Sequence, residues 1–184
     1  IFLTGSTTGN AGGTNKGKED AWVARFSDQG RLRWVKQIGS TQDDFSLAVT
    51  TDTKGNVAIA GYTQGDLSGA NQGSQDAWIA KYRSDGTLIW KRQLGTNLPD
   101  RATSIAADAT GNVFLGGTTD GNLGGTNLGL GFADAWTAKY SPTGKPIWRK
   151  QLGTNSIEYS DGVAVDNKGN VFLAGLTPLD IENP

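Results

Sequence analysis

The chain has no cysteine, no histidine and no methionine in its 184 residues. Without cysteine or histidine there is no thiol nucleophile, no Ser-His-Asp triad, no zinc finger, no haem ligation and no iron–sulfur cluster. No disulfide can form, so cysteine carries no information about compartment. An excess of either charge is missing too: 17 Lys and Arg stand against 18 Asp and Glu, a formal net charge of -1. That balance gives no electrostatic footprint for nucleic acid or an anionic membrane. No apolar run approaches the ~20 residues of a membrane span. There is no initiating Met, charged n-region or apolar h-region, so no signal peptide is visible. Ile1 falls in what reads as the middle of a strand, and the chain is expected to be a piece of something longer or a processed product.

What the chain does have is glycine, 27 residues of 184, about twice the average usage. With modest aliphatic content this favours a turn-rich all-β domain. Internal repeats decide its organisation. Asp-Ala-Trp occurs at Asp20, Asp76 and Asp134, at spacings of 56 and 58. Gly-Asn-Val at Gly55, Gly111 and Gly169 keeps the same spacings, as do Trp34, Trp90 and Trp148 and then Gln37, Gln93 and Gln151. The two extra residues of the third unit fall in the loop before Asp134.

Each unit divides into four strand signals separated by turn chemistry. In the unit starting near Arg101 the strands are predicted over 102–107, 113–119, 134–140 and 146–152, with a long Gly/Asn loop over 120–133. Such runs fit a four-stranded antiparallel meander. Trp78, Ala80 and Tyr82 share a face, matched by Trp22, Ala24 and Phe26 and by Trp136, Ala138 and Tyr140. Leu88, Trp90, Arg92 and Leu94 share another. The opposite face of the second strand, with Val113, Leu115 and Gly117, is expected to be apolar as well. A four-stranded unit apolar on both faces must be covered on both sides, which is the property of a propeller blade. The fold class is therefore an all-β β-propeller segment of four-stranded antiparallel blades, in about three repeats of 56–58 residues. Its single partial domain, 1–184, divides into a partial blade over 1–38, blades over 45–95 and 101–153, and the start of another over 158–177. Three and a fraction blades cannot close a ring, so further blades or other copies of the chain are expected to complete it.

Several motifs recur together: Asp166-Asn167-Lys168-Gly169-Asn170-Val171, then Gly117-Thr118, then Asp76-Ala77-Trp78-Ile79-Ala80-Lys81, then Gly86-Thr87-Leu88-Ile89-Trp90 with Leu94-Gly95. In these the chain resembles the SBBP family, the β-propeller repeats of bacterial secreted and cell-surface proteins, over essentially its whole length. The loop after the second strand departs from that pattern. Gly65-Asp66-Leu67-Ser68-Gly69 and Gly121-Asn122-Leu123-Gly124-Gly125 stand where the family often has Ser-x-Asp-Phe-Pro, so loop-borne functions of relatives do not carry over. A second resemblance, through Ala138, Thr143, Gly144, Lys145 and Trp148, is to the tryptophan-docking hairpin of quinoprotein-type propellers, with Tyr140 where that pattern carries Asp. It implies that Trp34, Trp90 and Trp148 pack blade against blade. It implies no quinone, since the other functional residues of those enzymes have no counterpart here.

Candidate sites follow from the repeat. The turn acids Asp52, Asp108 and Asp166 read as structural, accepting backbone N–H groups while glycine supplies positive φ. In the long loops Asp66, Asn71 and Asp76, and Asn122, Asn127 and Asp134, form oxygen-only clusters. Calcium is the cation they would suit, against the structural role of Asx turns; no other cofactor is implied. Between blades, Asp43, Asp44, Asp100, Arg101 and Glu158 precede the innermost strand, where a ring of carboxylates could take a cation, an amine or a sugar. Tyr62 and Tyr159 break the repeat, as does Phe132, and are the aromatics placed for stacking, because Trp22, Trp34, Trp78, Trp90, Trp136 and Trp148 all sit at packing positions. Catalysis by paired carboxylates needs two acids about 5–10 Å apart in unlike surroundings, and Asp44 or Glu158 would be its residues. The expected function is a non-catalytic scaffold, extracellular or on the cell surface, presenting loops to a protein or glycan partner. The alternatives are a carboxylate-dependent glycan hydrolase and a structural repeat unit of a larger assembly.

Overall fold

The computed structural model describes residues 1–127 and 132–177, and among these residues there is no helix. Part of the 120–133 loop thus lies outside the described residues. The described residues form thirteen strands in four sheets. The first sheet holds β1 (Phe2–Thr7), β2 (Asp20–Phe26) and β3 (Leu32–Ile38). The second holds β4 (Asp44–Thr51), β5 (Val57–Thr63), β6 (Asp76–Tyr82) and β7 (Leu88–Leu94). The third holds β8 (Asp100–Ala107), β9 (Val113–Thr119), β10 (Asp134–Tyr140) and β11 (Pro146–Leu152). The fourth pairs β12 (Tyr159–Val165) with β13 (Val171–Leu176). All pairings are antiparallel between strands consecutive in sequence. β4 lies beside β8, and β8 beside β12, so the first strand of each blade lines the inner side of the arc. The first strand of the third sheet starts at Asp100, two residues before its predicted start, because Asp100 and Arg101 continue the ladder against Thr119 and Thr118.

Two apolar layers hold the sheets together. One buries Ala21, Val23 and Ile38 of the first sheet against Val57, Ile59, Trp78, Ala80 and Tyr82 of the second. The other buries Ala58, Ala60, Ala77, Ile79, Trp90 and Leu94 of the second against Val113, Leu115, Trp136, Ala138 and Tyr140 of the third. The register corrects one expectation. Val113, Leu115 and Gly117 pair with Tyr140, Ala138 and Trp136, so they share the tryptophan face, since directly paired residues lie on the same side of a sheet. The other face of β9 is made by Phe114 and Gly116, and Phe114 is fully buried there.

Tryptophan locks blade to blade. The Trp34 indole N–H donates to Ser84 O at 2.9 Å, and the Trp90 indole to Pro142 O at 2.8 Å, each in the third-to-fourth-strand hairpin of the next blade. Those hairpins turn at Gly86 and Gly144, with φ of 87° and 78°. A methyl at Gly144 would meet the Trp90 ring at 2.6 Å, so glycine serves both the turn and the docking. Trp148 packs on Phe114 of its own blade, with ring centroids 6.3 Å apart, as Trp34 packs on Phe2, but among the described residues no hairpin lies against it.

A second recurring device is a β-bulge on each inner strand, with Leu47, Thr103 and Asp161 as the extra residues. The bulge turns the preceding carbonyl onto the neighbouring strand. A Cβ at Gly61 would stand 1.8 Å from Phe45 O, at Gly117 1.9 Å from Arg101 O, and at Gly175 1.7 Å from Tyr159 O. Backbone cannot yield as a side-chain tip can. Gly117→Ala should therefore cost about 3 kcal/mol in urea unfolding. Gly69→Ala, whose methyl meets nothing within 4 Å, should stay within about 0.5 kcal/mol. Equal effects at the two sites would contradict the account.

Candidate functional site at the inner rim

Alternating strand direction gathers the long loops, the connections between blades and the starts of β4, β8 and β12 at one end of the arc. The connections are built alike. Ser40 N–H and Oγ donate to Asp44 Oδ2 at 2.6 and 2.9 Å. Thr96 donates in the same two ways to Asp100 Oδ2 at 2.5 and 2.9 Å. Thr154 repeats the pattern on Glu158, at 2.8 Å from its N–H and 2.6 Å from its hydroxyl. Asp44, Asp100 and Glu158 are buried, with their carboxylates turned into the connection. The residue that follows each acid is turned outward instead: Phe45, Arg101 and Tyr159.

These residues assemble a rim of aromatic rings around one guanidinium. Phe45 and Tyr62 stack, with centroids 4.9 Å apart and planes 27° from parallel. The Arg101 guanidinium lies over the Tyr62 ring at 5.1 Å from its centroid, and Arg101 Nε donates to Gln75 Oε1 of the preceding blade. On its other side Arg101 borders a recess of about 170 Å³ shared with Thr118, Asp120 and Tyr159. Tyr159 is 44% exposed. Partial burial raises the Tyr62 phenol; Arg101 pulls it down, and Glu19 and Asp43 push it up. Burial also raises Asp120, with Arg101 opposing. The rim thus carries aromatic, cationic and anionic groups within reach of one ligand. Sequence reasoning singled out Tyr62, Arg101 and Tyr159, and the structure brings all three together. It missed Phe45, Gln75 and Asp120. Phe45 had a signal, because it aligns with Arg101 and Tyr159.

Most of the long-loop oxygens accept from their own loop or from the outermost strand of their blade, while Asp76 Oδ1 is buried without a hydrogen-bond partner. Asp66 Oδ1 accepts the Asn71 N–H at 2.7 Å, and Asn71 Oδ1 accepts the Gly73 N–H at 2.8 Å. Asp76 Oδ2 accepts the Gln72 N–H at 3.0 Å and the Gln93 amide at 2.9 Å. In the third blade Asn122 Oδ1 accepts the Asn127 N–H at 2.7 Å, and Gln151 donates to Asp134 Oδ2 at 2.8 Å. Asn127 Nδ2 donates to the backbone of Phe132, whose ring is 50% exposed. Asp76 Oδ1 lies against Gly95, where a Cβ would stand 2.1 Å away; this explains the glycine after Leu94. Among the described residues no group of three His, Cys, Asp or Glu is placed to hold a metal ion.

The turn acids behave otherwise. Asp52 Oδ1 accepts the Lys54 and Asn56 N–H groups, both at 3.0 Å, and Oδ2 accepts the Asn56 amide at 2.9 Å. Asp108 and Asp166 make the same turn. Lys81 joins Asp52 in a buried ion pair at 2.9 Å and donates to Gly111 O of the next blade at 2.8 Å. Burial would raise the Asp52 carboxyl, but the bonds from Asn56 and Lys81 outweigh it and hold it below 3.8. For Asp44 and Asp100 burial wins and the carboxyls are raised. A raised acid binds its proton more tightly in the native state, so it gives up stability as pH rises from 3.8 through its native value. Asp52 contributes the reverse: stability present above 3.8 and lost as pH falls through its lower native value. Acidifying from neutrality toward pH 3.8 should therefore raise the thermal midpoint, and acid below that should lower it. In Asp100→Asn the rise should be smaller. An equal rise in the variant would contradict this assignment.

The profile of the SBBP family, described as a beta-propeller repeat, matches residues 33–68, 89–124 and 147–177, together more than half of the chain. Each match runs from the outermost strand of one blade through the connection and the bulged inner strand to the second strand of the next. The chain is 23% identical over 189 residues to a protein of Acanthamoeba polyphaga mimivirus described as uncharacterized WD repeat-containing protein L264, covering 82% of this chain and 14% of that protein. It is 27% identical over 176 residues to regulatory protein FlaEY of Caulobacter vibrioides, covering 87% of this chain and 18% of that protein. The chain thus spans less than a fifth of either relative. The three matched segments carry the recurring outer-strand tryptophans, bulge glycines and Asp-x-x-Gly-Asn turns, and the match over more than half of its length establishes that the chain belongs to the SBBP family of β-propeller repeats.

Proposed function

We propose that this repeat scaffold is a non-catalytic binding module, working outside the cell or at its surface, whose inner rim holds a protein or glycan partner. One observation carries the reading. Within a frame repeated nearly residue for residue, the outward position after the buried acid holds Phe45, Arg101 and Tyr159, three unlike side chains converging with Tyr62 on one surface. A fixed frame with variable outward residues is how repeat proteins are adapted to a partner. Tyrosine and arginine are also the side chains that dominate binding energy at protein interfaces, and exposed aromatic rings stack on sugars. The burial of Asp44 and Glu158 and their bonds to Ser40 and Thr154 of the connections support the non-catalytic part. The location outside the cell rests on the family resemblance.

The test uses arrays of neutral glycans and of extracellular proteins, with Tyr159→Ala and Arg101→Ala as variants. Binding without turnover is expected, weakened by about tenfold in either variant. Cleavage of a bound glycan, or binding unchanged in both variants, would contradict the proposal.

A further inference from the structure

The near-neutral net charge conceals a segregation within each blade. The outermost strands β3, β7 and β11 hold Arg33, Lys36, Lys91, Arg92, Arg149 and Lys150, and not one acidic residue. An edge strand needs charge to discourage pairing with another chain. That need does not account for a cleft entered by arginines of two different blades. Between the second and third blades a cleft of about 410 Å³ is bordered by Arg92 on one side, by Arg149 and Tyr140 on the other, and by Gln72.

The two guanidiniums are differently held. Arg92 Nε donates to Gly144 O at 3.0 Å and Nη1 to Lys91 O at 2.7 Å, which fixes the side chain across the junction. Arg149 is exposed and has no ion-pair partner, the one ion pair among the described residues being Lys81–Asp52. The carboxylate bordering the cleft, Asp76, is buried, and its Oδ2 is already bonded to Gln72 and Gln93. Burial raises the Tyr140 phenol, while Arg149 and Arg92 both draw it back, so both positive charges act on one side of the cleft. At the preceding junction Lys36 and Lys91 hold the equivalent repeat positions; Lys36 lies against the Gly86 hairpin as Arg92 crosses Gly144, while Lys91 Nζ donates to Leu67 O.

We propose that this junction cleft binds an acidic glycan, with Arg92 and Arg149 clamping one carboxylate or sulfate and Gln72 and Tyr140 beside the sugar's hydroxyl groups. Guanidinium pairs match such anions in geometry as well as charge. The occupant is a sugar acid because the cleft is a recess bordered by an amide and a phenol, not a flat basic face. Single-stranded nucleic acid would need outward aromatic rings, and Trp34 and Trp90 of these strands are turned into the blade junctions. The proposal stands apart from the inner rim, whose residues it does not use.

The experiment passes the chain over immobilised polygalacturonate, which carries only carboxylates, and dextran sulfate, which carries only sulfates. Neutral dextran, DNA and anionic phospholipid vesicles complete the set. Retention at low salt on at least one of the two acidic polysaccharides and not on neutral dextran is expected. Arg149→Gln should weaken that retention about tenfold; it removes no intramolecular hydrogen bond, so it should fold as the parent does. Arg92→Gln, with folding checked by its thermal midpoint, should weaken it similarly, whereas Tyr159→Ala should leave it unchanged. Three results overturn the proposal: no retention on either polysaccharide, unchanged retention of Arg149→Gln, or retention only on DNA or vesicles.

Discussion

The docking of one tryptophan per blade on the glycine hairpin of the next is the contact on which the arc depends. A single four-stranded sheet with two apolar faces is not a stable object in water. It becomes one only when both faces are covered, and its neighbours can cover them only in one register. Trp34 on the Ser84 hairpin and Trp90 on the Pro142 hairpin set that register, each through a directional N–H bond and a ring that is half-buried in Trp34 and buried in Trp90. The alternative partners for so large a side chain are solvent or a shifted neighbour. Solvent would hydrate the donor but expose the ring, and a shifted neighbour would leave the indole donor or the hairpin carbonyl unpaired.

From this register the inner rim follows. Once blades are fixed side by side, the bulge on each inner strand decides what faces outward at the end of the arc. The bulge presses a carbonyl onto Gly61, Gly117 or Gly175, and no side chain fits there. The acid before it is drawn into the connection by Ser40, Thr96 or Thr154, leaving Phe45, Arg101 and Tyr159 as the residues that can vary. Structural demand thus consumes most carboxylates and amides of this end, and the few positions it spares carry the chemistry available to a partner.

Most of the architecture was readable in the sequence because it is written three times. Strand limits, turn acids and the docking tryptophans all recur at nearly one spacing, and seven of the eight strand limits in the third unit fall where the pattern puts them. What periodicity did not convey is how paired strands share a face, so Val113 and Leu115 were assigned to the wrong side of the sheet. It also did not convey burial. Asp44, Asp100 and Glu158 look like exposed turn acids from composition, but serine or threonine four residues earlier draws them inward. The site was partly visible for the opposite reason: Tyr62 and Tyr159 break the repeat, and Phe45 breaks it at a position whose importance appears only when the bulge is seen. The basic cleft was hidden by the averaging in net charge, which sums the outer strands with acids that lie on other strands and turns.

Hydrogen exchange at the indole N–H of Trp90, followed by NMR beside that of Trp148, tests the central claim most directly. Trp90 is docked in the next blade and bonded to Pro142 O, whereas among the described residues no hairpin lies against Trp148. If blade docking is the contact that holds the arc, the Trp90 indole exchanges only through global unfolding, with the same free energy as the slowest core amides. The Trp148 indole then exchanges far faster. Equal, fast exchange at both would mean that the blades part without unfolding, and the account of the interlocked arc would be wrong.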